Sequence, residues 1–149
     1  MNLEHEFSYV ADLKEPLQIG PGPFGNRNFY EVTGGTVEGK RLKGKLLTGG
    51  GDWLLVGPDG FGRLDVRAQI LTDDGAVIYV YYTGIVQMNE KVAQATAAGR
   101  STDYGDQYFR TAPRLESGDP RYAWVNQSIF VAEGRVGPHR VEYKVYRVV

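Results

Sequence analysis

Residues 62–86 read GRLDVRAQILTDDGAVIYVYYTGIV. Two runs rich in β-branched and aromatic residues, 62–72 and 76–86, flank Asp73-Asp74-Gly75. Asp-Gly between such runs is a strong local signal for a β-hairpin. Loop length sets the register. A three-residue loop, Asp73 to Gly75, pairs Thr72 with Ala76; Gln69 then faces Tyr79, Arg67 faces Tyr81 and Asp65 faces Thr83. A two-residue loop would put Tyr79 opposite Ile70 instead. A type I turn closing on a left-handed glycine suits this sequence, which favours the longer loop.

Strand signals continue on both sides of the hairpin. Residues 3–13 alternate, with Leu3, Phe7, Tyr9, Ala11 and Leu13 on one face and His5 among them. Gly and Pro mark 20–28 as a loop, although Asn28 to Val32 reads as a strand, and Gly34-Gly35 reads as a turn. Short strands are expected at 42–48 and 53–56, and longer ones near 107–116, 122–133 and 138–148. One helix is expected at 90–98, capped by Asn89 and stopped by Gly99. The polar segment 99–106 reads as a mobile gate with little surface to bury. Eight to ten strands at short spacing, with one helix too short to cross between parallel strands, imply a single all-β domain over 1–149, an antiparallel barrel.

Composition narrows the function classes. Hydrophobic residues make up 42% of the 149, enough for an ordered core. The formal net charge of −1 gives no clustered basic surface for nucleic acid. Cysteine is absent, which excludes disulfides, thiolate metal sites and a cysteine nucleophile. No apolar run approaches a membrane span and the N-terminus lacks a signal-peptide pattern, so a cytoplasmic protein is expected. Gly20-Pro21-Gly22-Pro23-Phe24-Gly25 fits the dinucleotide fingerprint formally, but two prolines remove N–H donors and no helix follows. No cofactor is expected. His5 and His139 have no histidine neighbours at ligand spacing, so no metal site is expected either. A homodimer is the default oligomer.

The candidate site residues come from strand faces. Asp65 and Arg67 share a face, about 6.6–7 Å apart; Leu64, Val66, Ala68 and Ile70 form an apolar stripe on the other. Tyr79, Tyr81 and Thr83 share a face on the paired strand, and Ile78, Val80 and Tyr82 take the opposite one. If the polar-aromatic face lines the lumen, Asp65, Arg67, Tyr79 and Tyr81 form a pocket. If the aliphatic face does, Asp65 and Arg67 are a surface pair worth about 0–1 kcal/mol. Alternation alone does not choose; the expectation taken forward puts Asp65, Arg67 and Tyr79 on the pocket floor. Asp52-Trp53, after three glycines, reads either as a ligand contact at the barrel mouth or as a turn cap beside a packed tryptophan. Tyr108, Arg110, Tyr122 and Trp124 make a second aromatic-basic group, with Tyr122, Trp124, Asn126 and Ser128 expected on one strand face. Trp53, Arg67, Tyr81, Arg110 and Trp124 are the candidate ligand contacts; Asp52, Asp65 and Tyr79 are the candidate proton-transfer groups.

The runs Ile19-Gly20-Pro21-Gly22-Pro23, Gly49-Gly50-Gly51-Asp52-Trp53, Leu64-Asp65-Val66-Arg67, Thr72-Asp73-Asp74-Gly75-Ala76, Tyr108-Phe109-Arg110-Thr111 and Tyr122-Ala123-Trp124-Val125-Asn126 resemble domain-of-unknown-function family 3237. They occur in order over nearly the whole chain. The resemblance implies a calycin-like barrel, related in shape to lipocalins and streptavidin, and implies that Asp52, Asp65, Arg67 and Tyr79 belong to the family pattern. Val125 departs from an expected leucine. The resemblance supplies no activity. Two functions fit the residues: a barrel that binds a small organic molecule, or a cofactor-free acid/base enzyme such as an isomerase, cyclase or dehydratase.

Overall fold

The hairpin forms in the expected register. A computed structural model describes residues 1–149. Its strands are β1 (Leu3–Leu13), β2 (Leu17–Gly22), β3 (Gly25–Gly39), β4 (Gly44–Leu46), β5 (Gly50–Val56), β6 (Phe61–Thr72), β7 (Val77–Gln87), β8 (Phe109–Thr111), β9 (Arg114–Glu116), β10 (Phe130–Gly137) and β11 (Arg140–Val148). Helix α1 (Glu90–Ala97) follows β7, and a 3-10 segment (Pro120–Gln127) precedes β10. Between β6 and β7, Gln69 faces Tyr79, Arg67 faces Tyr81 and Asp65 faces Thr83. Gly75 takes a φ of 93°, as the three-residue loop requires. The Thr72 hydroxyl accepts from Ala76 N at 2.7 Å and lies 2.7 Å from Asp74 Oδ1, to which it can donate.

The ladder closes on itself. From β6 it runs through β5, β3, β1, β11, β10, β8 and β7 and returns to β6, a closed antiparallel barrel of eight positions. Closure removes the sheet edges that would otherwise invite pairing with another chain. β4 lies between β3 and β6 farther along the position that β5 occupies. β9 continues β8 along β7 after a break at Ala112-Pro113. β2 adds to the outer end of β3.

The faces sort by burial. Leu64, Val66, Ala68 and Ile70 on β6, with Ile78, Val80 and Tyr82 on β7, point inward and are buried. Each large aliphatic side chain in that stripe stabilises the fold by about 1.5–3 kcal/mol when buried. The alternative register of faces would bury Asp65 and Arg67 for a pair worth about 0–1 kcal/mol and leave the stripe in water. The inward expectation for Asp65, Arg67 and Tyr79 is therefore overturned: all three lie on the outer face, with Arg67 and Tyr79 exposed.

Several local expectations also change. Gly34-Gly35 is not a turn, because β3 runs through it. A Cβ at Gly35 would fall 1.9 Å from Val10 O, and the register against β1 shifts beside it; the glycines bend a wall strand past its neighbour. Residues 20–28 form the β2–β3 hairpin and not a loop. Pro21 is tolerated there because β2 is an edge strand. The strand expected from 122 begins only at Phe130. Asp119, whose carboxylate accepts from Arg121 N at 2.9 Å, caps a 3-10 segment that Pro120 opens, so Tyr122, Trp124, Asn126 and Ser128 share no strand face.

Helix α1 matches its reading. Asn89 Oδ1 accepts from Val92 N at 3.1 Å and Gly99 has a φ of 64°. The segment after it is more firmly held than its polar composition suggests. Thr102 is buried and donates its N–H to Val136 O at 2.9 Å. Tyr104 lies under Lys144 Nζ at 4.2 Å and Arg135 at 5.0 Å.

Replacing Thr72 with valine removes the acceptor for Ala76 N and a partner of Asp74 at the turn. We expect urea unfolding to show a loss of about 1–2 kcal/mol. A loss below about 0.3 kcal/mol would show that this hydroxyl does not hold the hairpin.

Candidate functional site

The barrel interior is filled at one end and open at the other. Phe7, Val37, Ile70, Ile78 and Val145 are at most 1% exposed and belong to the packed part. Beyond them a cavity of about 250 Å³ opens to solvent, with mostly apolar walls. Leu54, Leu64, Val66 and Phe109 form part of the wall, and Val92 and Thr96 of α1 stand over it. Lys14, His139 and Arg140 line it as well, from the end of β1 and the β10–β11 turn.

One carboxylate lines this cavity, that of Asp52. Its strand position explains how it gets there. Asp52 pairs with Tyr30 of β3 on one side and Val66 of β6 on the other. Pairing between β5 and β6 then lapses until Leu55 and Arg63. In the gap, Asp65 N donates to Asp52 Oδ1 at 3.1 Å. The side chain of Asp52 thus takes the place of a ladder acceptor. The Trp53 carbonyl beside it accepts from Arg27 Nη1 at 3.1 Å.

Asp52 is electrostatically unusual. Burial pushes its pKa up to about 7; the Asp65 N–H opposes the rise, and the Asp65 carboxylate adds to it. No basic side chain contributes. Three buried tyrosines share its surroundings. Tyr9 and Tyr143 stack at 4.8 Å, and Tyr82 and Phe109 meet Tyr143 edge-on at 5.6 Å and 5.3 Å. Burial raises all three phenol pKa values, and the Asp52 charge raises them further. Tyr30 is shifted up by burial and the Asp52 charge as well, with a smaller contribution from Glu15. The phenols therefore stay neutral while Asp52 titrates near neutrality. The Tyr9 hydroxyl is buried beside the Tyr82 phenol. The geometry offers one group able to gain or lose a proton, phenols that remain neutral donors, and an apolar space beside them. No three His, Asp or Glu side chains converge anywhere as a metal cage.

Of the candidate ligand contacts and proton-transfer groups, only Asp52 lines the cavity. Trp53 points outward and packs on Phe29 at 4.6 Å. Arg67 donates to the Tyr79 hydroxyl at 3.3 Å and lies over Tyr81 at 5.1 Å, on the outside of the wall. Arg110 is exposed over Tyr108 at 5.4 Å. Trp124 sits in the 3-10 segment under Arg41 at 3.7 Å. Tyr30, Tyr82 and Tyr143 were missed as cavity residues. The available signal was a carboxylate alternating with Leu54 on an apolar face, which points to the aliphatic side as the lumen.

A model of a family described as proteins of unknown function (DUF3237) matches residues 1–148. A UPF0311 protein from Clostridium acetobutylicum is 36% identical over 149 residues, covering 99% of this chain and 94% of the relative. The crystal structure of a β-barrel-like protein from Acinetobacter baumannii gives a TM-score of 0.81 at 32% identity, covering 98% of this chain and 94% of that one. The structure of an enzyme from Penicillium herquei shares the fold, with a TM-score of 0.74 at 20% identity over 99% of this chain and 94% of that one.

The raised Asp52 pKa has a consequence for stability. In the unfolded chain the group ionises near pH 3.8; in the fold the midpoint rises to about 7. Stability contributed by the neutral acid is present below pH 3.8 and is lost as pH rises through 7. Unfolding free energy should fall across that window by roughly 2–4 kcal/mol. Asp52→Asn, which keeps the acceptor for Asp65 N, should flatten the decline. An equally steep decline in the variant, measured by urea titration from pH 4 to pH 8, would place the titration elsewhere.

Proposed function

The chain belongs to the DUF3237 family of proteins of unknown function, and for this member we propose that the barrel takes a small apolar organic molecule into its open end and that Asp52 exchanges a proton with it. The observation that carries this reading is Asp52 itself. It is the one carboxylate on the cavity wall, and no cation is beside it. Holding a carboxylate in apolar surroundings costs stability. An asparagine would accept the same hydrogen bond from Asp65 without that cost. What the carboxyl group adds is a proton that can leave and return near neutral pH, the range in which a general acid or base works best. The apolar walls favour an organic body, and the neutral phenols are suited to donate to an oxygen on it.

Proton transfer of this kind can be tested without knowing the natural substrate. β-Tetralone is an apolar ketone with exchangeable α-protons. Dissolved with the protein in D2O, it would lose an α-proton to the Asp52 carboxylate while the C–H electron pair moves toward the ketone oxygen. The carbon would then take a deuteron from the exchanged carboxyl. Proton NMR should show deuterium incorporation faster than in buffer, rising with pH through about 7. Asp52→Asn should lower the protein-catalysed rate at least about a hundredfold while affinity for the ketone stays within a few-fold. Equal rates in the two proteins, or no acceleration by the wild type, would overturn the assignment.

A further inference from the structure

We infer that the ligand of this cavity is an amphiphilic anion, with an apolar body inside the barrel and its negative group at the rim. The inference rests on the cavity reading above. It starts from how charge is distributed along the cavity axis. Inside, Asp52 is the only carboxylate on the wall; it has no cation beside it, and burial raises its pKa to about 7. At the opening stand three basic side chains, Lys14, His139 and Arg140, and no acidic residue.

Each of the three has a carboxylate partner, but every partner lies off the cavity. Lys14 Nζ is 3.3 Å from Glu31, and His139 Nδ1 is 3.3 Å from Glu15. Strand alternation explains Glu31: Tyr30 and Val32 line the cavity, so the residue between them points outward. Arg140 is the least neutralised. Its Nε is 4.0 Å from Glu142, and Glu142 is held more closely by Arg135 at 2.6 Å. The Arg140 Nη2 donates to Ser101 Oγ at 3.3 Å, a neutral partner that leaves its charge uncompensated. Exposed pairs such as Lys14–Glu31 are weak and exchange partners easily. An anion arriving from solvent therefore meets Lys14 and Arg140 on the cavity lining, while Glu31 and Glu142 are not part of it.

An apolar body attached to that anion would continue inward along Leu13, Val141 and Leu54 toward Asp52. A second anion would be poorly placed at the inner end, because it would meet a carboxyl group with no cation beside it. A neutral carbonyl or hydroxyl would suit that end. The implied ligand carries one negative group, at the end that stays nearest to water.

Two fluorescent probes of matched shape test this. Anilinonaphthalene sulfonate and N-phenylnaphthylamine share an aromatic body, and only the first carries a negative group. Titrated into the protein, both should bind with one-to-one stoichiometry, the sulfonate more tightly. In the double variant Lys14→Gln with Arg140→Gln, the ratio of the two affinities should fall roughly tenfold. Raising the salt concentration should lower the same ratio in the wild type. Both replaced residues are exposed, and circular dichroism would check that the variant keeps its fold. Arg140→Glu alone provides a second variant and should lower the ratio further than Arg140→Gln. If both probes bind and the ratio is unchanged in the variants, the rim does not select anions; this inference fails and the cavity reading stands. If neither probe binds, both fail.

Discussion

A strand has two faces and no means of compromise between them. In β6 and β7, one face carries Leu64, Val66, Ala68, Ile70, Ile78, Val80 and Tyr82, and the other carries Asp65, Arg67, Tyr79 and Tyr81. A shift of one residue would exchange the two sets completely. The aliphatic set wins because several buried side chains outweigh anything an Asp65–Arg67 pair could supply, and no such pair forms: Arg67 bonds the Tyr79 hydroxyl. Once that hairpin is oriented, its neighbours follow. β5 must place Leu54 inward, and Asp52, two residues earlier, goes inward with it. The position of the only cavity carboxylate is thus a by-product of hydrophobic burial on the adjoining strands.

The wall beside Asp52 is adapted to its presence. Gly50 and Gly51 leave no Cβ where the backbone and rings come close; a Cβ at Gly51 would meet the Phe29 ring at 2.2 Å. That closeness lets Phe29 and Trp53 stack over the outside of the strand. Inside, the interrupted pairing between Asp52 and Leu55 frees an N–H, which Asp52 then accepts. A buried backbone donor without a partner is costly, so the interruption and the carboxyl group stabilise each other.

The legible part of the sequence was what period two and turn chemistry encode. Asp73-Asp74-Gly75 specified the hairpin and its register, and Asn89 with Gly99 bounded the helix. Which face looked inward was not settled, because aromatic and charged residues alternate with aliphatic ones on both strands. Tyr82 was placed correctly with Ile78 and Val80 but was not connected to Asp52, since that depends on β5 pairing with β6 so that Val66 lies between Asp52 and Tyr82. The 3-10 segment was missed although Asp119-Pro120 is an ordinary helix opening; the aromatic residues after it suggested a strand. Gly34-Gly35 looked like a turn because glycine that permits a bend and glycine that reverses a chain are alike in sequence.

The arrangement couples protonation to occupancy. Asp52 has a hydrogen-bond donor in Asp65 N and no cation. Its ionised form depends on whatever water enters from the open end. A molecule that fills the cavity displaces that water and disfavours the ionised form further, as burial does already. By linkage, a neutral ligand group placed against Asp52 must bind more tightly to the protonated protein, and its binding must take up a proton near pH 7. The neighbouring phenols do not share in this, because their pKa values are raised, away from neutrality. The inner end of the site therefore changes by a single charge, on one side chain, in a wall otherwise built of apolar groups and neutral hydroxyls.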